Sequence, residues 1–193
     1  AGAHLPFTRH LDDATILTRD GYLMQTIRVG GLLFETADSA DLNYRAGLRD
    51  AMLRAIGTSR FAVYHHIIRR RVDADLEGEF PDAFSRQLDA RWRERCERRQ
   101  LYVNELFLTL VRRPLQGRVG IADRLTRLFR SPSASATAAA LKGELTALDN
   151  AREALMAALA QYDPVLLTRY ESEAGGMRSE PIEFLSCLFN GDM

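Results

Sequence analysis

The dipeptide Asp20-Gly21 stands between two apolar runs, and it constrains the fold of this chain more than any other feature. Asp-Gly accepts the positive φ angles of a type I′ turn, so residues 14–19 and 22–29 are expected to be two strands joined there as a hairpin. In the second run Leu23, Ile27 and Val29 share one face under a period of two, with Gln25 out of pattern. Gly30-Gly31 then ends the strand, and Leu32-Leu33-Phe34 is expected to resume it.

Helices and strands alternate after the hairpin. Tyr44, Leu48, Met52 and Ile56 recur every four residues, which predicts a helix over about 40–56 with those four as its buried stripe. Asp38 or Ser39 suits its N-cap, and Gly57 suits the left-handed position after its end. Residues 60–72, RFAVYHHIIRRRV, are apolar on both faces of a strand, as an interior strand covered on both sides would be. Residues 73–82 carry five acids and no base and read as a loop. A second helix over about 81–100 places Phe84, Leu88, Trp92 and Cys96 at i+4 spacing, and residues 101–114 form a strand stopped by Pro114.

Residues 115–136 read as a variable insertion and a small-residue linker, within which Ile121 to Phe129 form a short amphipathic segment. The longest helix, about 137–162, carries Leu141, Leu145, Leu148, Leu155 and Leu159 on one seam, with Arg152 interrupting it. That seam is heptad-like over fewer than four heptads, which favours an antiparallel packing helix over a coiled-coil dimer. A strand over 165–170 and a helix over 181–189 close the chain. The order is β-β-α-β-α-β-α-β-α, which places the chain in class α+β. One domain over 1–193 is expected, with a mixed or antiparallel sheet, helices packed mainly on one side, a long helix and the short insertion.

The chain has 193 residues, and its 26 Lys and Arg equal its 26 Asp and Glu, so no global field draws in nucleic acid or an anionic surface. No apolar run reaches about 18 residues, and no secretory signal opens the sequence. Cys96 and Cys187 fall on helices near apolar neighbours, which suits two small thiols in a reducing compartment, although a disulfide between them stays open.

Motifs that carry chemistry are scarce. A P-loop needs Gly-Lys-[Ser/Thr] closing a glycine-rich turn, and the chain contains no Gly-Lys pair. Gly30-Gly31 is expected to shape backbone and to hold no phosphate. His65 and His66 are adjacent on a strand and point to opposite faces, so they cannot readily share a metal ion. One ring is expected in the core and the other in solvent. No catalytic, cofactor-binding or metal-binding residue is assigned.

Two charged surfaces remain. Residues 86–99 carry six arginines against three acids, with Asp89/Arg93 and Glu94/Arg98 as i,i+4 pairs. Either this is a solvated helix face, or Arg91, Arg95, Arg98 and Arg99 contact an acidic partner such as the 73–82 segment of another copy. The segment GIADRLTRLFRS sets Ile121, Leu125, Leu128 and Phe129 on one face and Arg124, Arg127 and Arg130 on the other. It is either a packed surface helix or a basic amphipathic contact for a membrane or a partner groove.

Several stretches in succession resemble the N-terminal region of the CagE/TrbE/VirB family of type IV secretion and conjugal-transfer ATPases. They are LPFTRHLDDATILTRDGYLMQTIRVGGLLFET, FAVYHHIIRRR, ELFLTLVRRPL and GGMRSEPIEFLSCLFNG, the last containing Ser179-Glu180, Glu183-Phe184-Leu185 and Asn190-Gly191. The resemblance implies an N-terminal docking and assembly domain whose motor, with its ATP and Mg2+, lies downstream. It implies a bacterial parent that is hexameric while working, cytoplasmic and peripheral to the inner membrane, energising pilus biogenesis and transfer of DNA or protein. The implied partners are inner-membrane secretion components and neighbouring copies, with a peripheral membrane contact left open and no direct nucleic-acid binding. A stand-alone interaction adaptor and an enzyme with a dispersed site are the rival readings.

Overall fold

The computed structural model describes residues 6–31, 38–57, 60–72, 78–99, 101–113 and 134–191. Within them Asp20-Gly21 does reverse the chain, but through a three-residue loop. Thr18 N–H donates to Tyr22 O at 2.9 Å, and Gly21 N–H donates to Thr18 O at 3.1 Å. Only Gly21 takes a positive φ, at 79°. This is the arrangement in which a left-handed glycine closes the loop as a bulge, in place of the type I′ turn, which needs two positive φ angles. The Thr18 hydroxyl accepts from Tyr22 N–H at 2.9 Å and fixes the corner.

The strands so joined are β2 (Ile16–Thr18) and β3 (Leu23–Val29), and β1 (Phe7–His10), not anticipated from sequence, pairs antiparallel with β2. Helix α1 (Ser39–Ile56) starts at Asp38, whose side chain accepts from Asp41 N–H. Then follow β4 (Phe61–Val72), α2 (Ala83–Arg98), β5 (Leu101–Arg112), α3 (Ala134–Ala158), a 3-10 turn (Ala160–Tyr162), β6 (Val165–Leu166), β7 (Arg169–Glu171), β8 (Met177–Ser179) and α4 (Glu180–Asn190). The main sheet runs β1-β2-β3-β5-β4, with β6 paired antiparallel to β3, and β7 and β8 form a separate hairpin. The class is α+β, with an antiparallel sheet. The stretch expected as one strand over 165–170 is thus divided between β6 and β7.

The chain divides into two compact units, residues 1–66 with 107–193, and residues 67–106. The larger unit holds the core. Ile16, Ile27, Leu110, Leu148 and Leu155 are each at most 1% exposed. Leu148 and Leu155 are one heptad apart on the leucine seam of α3, and α1 and α3 contact one another. Arg152, which breaks that seam, is held by Asp149 at 3.1 Å and Glu153 at 3.2 Å. On the other sheet face Phe184 of α4 meets Phe107 of β5, ring centroids 4.6 Å apart.

Three local expectations change, and Gly30 gains a specific role. The buried stripe of α1 holds only at its C-terminal end, where Met52 and Ile56 are buried, while Tyr44 is 66% exposed. Gly57 is not left-handed, with φ −71°; a Cβ there would meet Leu53 O at 2.9 Å, so the close carbonyl is what demands glycine. β4 is the terminal strand of the sheet and not an interior one. The Arg112 guanidinium lies over the Phe61 ring on one of its faces, and Phe184 meets the His66 ring on the other. Gly30 keeps a negative φ, and its role is proximity: its N–H donates to Tyr162 O at 2.6 Å, and a Cβ would stand 3.0 Å from that oxygen. The expected continuation at 32–34 lies outside the described residues.

Candidate interaction surfaces

Helix α2 is capped at its N-terminus and has no buried residue. Asp82 caps it by accepting from Ser85 N–H at 2.8 Å, and Arg86 Nη1 donates to the Phe80 and Pro81 carbonyls at 3.0 and 2.9 Å. Bonding from Ser85, by side chain and then by backbone, holds the Asp82 carboxyl below the usual carboxylate range. Both predicted i,i+4 pairs form, Arg93 to Asp89 at 2.7 Å and Arg98 to Glu94 at 2.5 Å. Of the four arginines expected to contact another subunit, Arg98 is therefore already paired. Arg91, Arg95 and Arg99 are exposed and make no ion pair among the described residues.

The apolar i+4 row of α2 differs from a core stripe. No residue of this helix is buried, and Phe84, Leu88 and Trp92 are 75%, 59% and 41% exposed. Cys96 is half-buried and free, and Cys187 of α4 is buried and free, so the two do not form a disulfide. Elsewhere in the smaller unit Arg69 stacks over the Tyr102 ring at 4.4 Å, and Arg70 pairs with Glu105 at 3.0 Å. The residues proposed for membrane or partner contact, Ile121, Arg124, Leu125, Arg127, Leu128, Phe129 and Arg130, lie outside the described residues.

Three polar clusters among the described residues of the larger unit each join elements distant in sequence. Glu144 of α3 accepts from Arg60 and from Arg112, both at 2.5 Å. Partial burial raises its carboxyl, but the hydrogen bonds and charges of the two guanidinium groups outweigh this and leave it lowered. Gln25, the polar residue out of pattern in β3, is 2% exposed and donates to Thr15 Oγ1 and Asp149 Oδ1, each at 2.9 Å. The third cluster crosses the sheet: Thr26 and Thr109 hydroxyls lie 3.1 Å apart, and His66 Nε2 lies 3.1 Å from Thr109 Oγ1. Burial, and then the neighbouring His65, lowers the His66 pKa, while His65 itself is exposed. The adjacent histidines thus take opposite faces, as period-two geometry predicts, but the ring expected in the core, His66, is only half-buried.

A cavity of about 480 Å3 opens beside α4, lined by His10, Arg169, Arg178, Ser179 and Glu183 among others. His10 Nε2 lies 2.9 Å from Ser179 Oγ, a spacing that a serine nucleophile and its base also use. Here Ser179 Oγ is occupied as the N-cap of α4, accepting from Ile182 N–H at 3.2 Å, and among the described residues His10 Nδ1 has no partner to orient the ring. Arg169 is neutralised by Asp13 at 2.6 Å, and Tyr170 donates to Glu183 at 3.0 Å. These groups brace the β7–β8 hairpin and α4. The 169-residue separation of His10 and Ser179 leaves no signal for spacing rules to detect. Among the described residues no three His, Cys, Asp or Glu side chains are grouped to hold a metal ion.

The fold and these surfaces define an α+β module that presents an uncovered Arg- and aromatic-bearing helix. The sequence model for "Type IV secretion system ATPase VirB4/TrbE, N-terminal domain" matches residues 14–119, and the chain belongs to that family. It is 32% identical over 192 residues to the type IV secretion system protein virB4 of Bartonella quintana, covering 97% of this chain and 24% of that protein. Against virB4 of Brucella suis it is 28% identical over 197 residues, covering 97% of this chain and 23% of the relative. PtlC of Bordetella pertussis is 36% identical over 118 residues, 61% of this chain and 14% of PtlC. The chain therefore spans about a quarter of the length of the virB4 relatives.

Proposed function

We propose that this domain is the docking and assembly platform of a type IV secretion ATPase. It holds the motor against inner-membrane secretion components and against neighbouring copies, at the cytoplasmic face of the bacterial inner membrane. ATP and Mg2+ belong to a motor region beyond this sequence, and the parent assembly drives pilus biogenesis and transfer of DNA or protein. Membership of the VirB4/TrbE N-terminal family supports the secretion reading. The observation that carries the docking role is α2, a capped helix whose apolar row and unpaired arginines are displayed together. Exposed Trp and Arg are the side chains that dominate protein interfaces, and a helix with no buried residue is stabilised little by keeping them bare.

Co-purification of the full-length parent with tagged inner-membrane secretion subunits tests the reading. Removal of residues 1–193 is expected to abolish capture while the remaining motor still hydrolyses ATP. Undiminished capture by the truncated motor would refute the platform role.

A further inference from the structure

We infer that α2 is a self-association element, pairing antiparallel with the α2 of a second copy of this chain about a two-fold axis. The inference rests on reading α2 as a subunit contact, and its failure leaves docking to inner-membrane components untouched.

The argument begins with the order of features along the helix. Phe84, Leu88 and Trp92 occupy its first two-thirds, and Arg95 and Arg99 continue the same side at its C-terminal end. Glu79 and Asp82 lie just before its first turn, where both are exposed. Of the three acids that α2 itself carries, Asp89 is used by Arg93 and Glu94 by Arg98, and Glu97, nine residues on from Leu88, falls on the side of the helix opposite the apolar row. The helix thus has a negative approach, an apolar middle and a positive exit.

Of the parallel and antiparallel pairings of two such helices, only the antiparallel one satisfies all three parts. Laid parallel, the arginine ends of the two copies meet and repel. Laid antiparallel with Leu88 opposite Trp92, each apolar row covers the other, and Phe84 stands opposite Cys96. The same register brings Arg99 of one copy opposite Pro81 of the other, between Glu79 and Asp82. The two helix dipoles also run in opposite directions, so each arginine-bearing C-terminus meets the N-terminus of its partner. Because the contact is isologous it closes at two copies and cannot propagate into a fibre. A lipid surface fits less well, since an interfacial helix keeps its charges on the polar face, whereas Arg95 and Arg99 continue the apolar side.

The 193-residue chain tests this by sedimentation equilibrium. The chain is expected to dimerise reversibly, and Leu88→Glu is expected to weaken the dimer about tenfold or more. Arg99→Glu and Glu79→Arg should each weaken it, and the two together should restore it, which loss of folding could not do. Register is read with Phe84→Cys: its thiol should cross-link to the native Cys96 of the partner under mild oxidation, while the unaltered chain yields little Cys96–Cys96 dimer. Phe84 is exposed, so the substitution spares the core. A chain that stays monomeric at about 100 μM, or Cys96–Cys96 as the dominant link, overturns the proposal. So does flotation with phosphatidylglycerol vesicles that Leu88→Glu abolishes in a chain showing no self-association.

Discussion

Removing the Glu144 carboxylate tests how the long helix is fastened to the sheet. Arg60 precedes β4 and Arg112 ends β5, and Glu144 of α3 accepts from both at 2.5 Å. The three side chains are not equally dry: Arg112 is 9% exposed, whereas Arg60 and Glu144 are 28% and 27% exposed. Glu144→Ala therefore returns Arg60 largely to water but strands Arg112 beside the Phe61 ring, 4.8 Å from its centroid. Stranding a fully buried charge costs about 3–5 kcal/mol, and an exposed pair is worth about 0–1 kcal/mol. One nearly dry arginine and one half-wet one set the expected loss between these limits, at about 2–3 kcal/mol. At 193 residues that is a fall in Tm of about 4–12 °C. Glu144→Gln keeps an acceptor without the charge and should lose about half as much.

The acid limb gives the same argument a sign. The Glu144 carboxyl is lowered in the folded chain, so the unfolded chain takes up a proton first as pH falls. Its contribution is complete above the ordinary glutamate range and is lost below it, through the lowered folded value. Urea titrations followed by far-UV circular dichroism at neutral pH and below pH 4 should show the difference between unaltered chain and Glu144→Gln shrinking on acidification. A cost for Glu144→Ala under about 0.5 kcal/mol at neutral pH would place the triad among ordinary surface pairs and refute the reasoning.

Three further outcomes are expected. Leu155→Ala, at a position 0% exposed in the core, should cost about 2.7–5 kcal/mol by urea unfolding, depending on how far α3 collapses into the space. Gly30→Ala should destabilise by about 1–3 kcal/mol, because its Cβ would crowd Tyr162 O and weaken the 2.6 Å bond, whereas Gly47→Ala, with open space at its Cβ, should be neutral or stabilising. His66 has a pKa below its ordinary value, so the unfolded chain binds its proton first, and stability should fall as pH drops below about 6.5. His66→Gln should flatten that part of the pH–stability curve, and an unchanged slope in the variant would assign the dependence to another group.

The parts of this fold legible in sequence were those set by short-range physics. The hairpin at Asp20-Gly21, the Asp38 cap, the i,i+4 pairs of α2 and the leucine seam of α3 all depend on residues within a few positions of one another. The errors share a different cause. Three-residue and two-residue loops both accept Asp-Gly, and only the pairing of Thr18 with Tyr22 selects between them. Strand β4 reads as interior because both faces are apolar, yet its place on the sheet is decided by β5, about thirty residues later. Gln25 looked like a lapse in the strand pattern until Asp149, 124 residues on, supplied its partner. No spacing rule reaches that far.

Helix α2 shows the limit from the other side. An i+4 apolar row states that a helix can be covered, and it does not state by what. The row of α3 and the end of the α1 row are covered by the larger unit itself, and Leu148, Leu155, Met52 and Ile56 are buried accordingly. The α2 row follows the same spacing and stays exposed at Phe84, Leu88 and Trp92. Identical periodicity thus yields a core in one helix and a display in another. The distinguishing mark in the sequence is charge: apart from Arg152, which pairs at once with its neighbours, the seam of α3 is free of arginine, whereas α2 continues its apolar side into Arg95 and Arg99. Two bare guanidinium groups at the end of an apolar row are costly to bury inside a fold and well suited to meeting carboxylates brought by another chain.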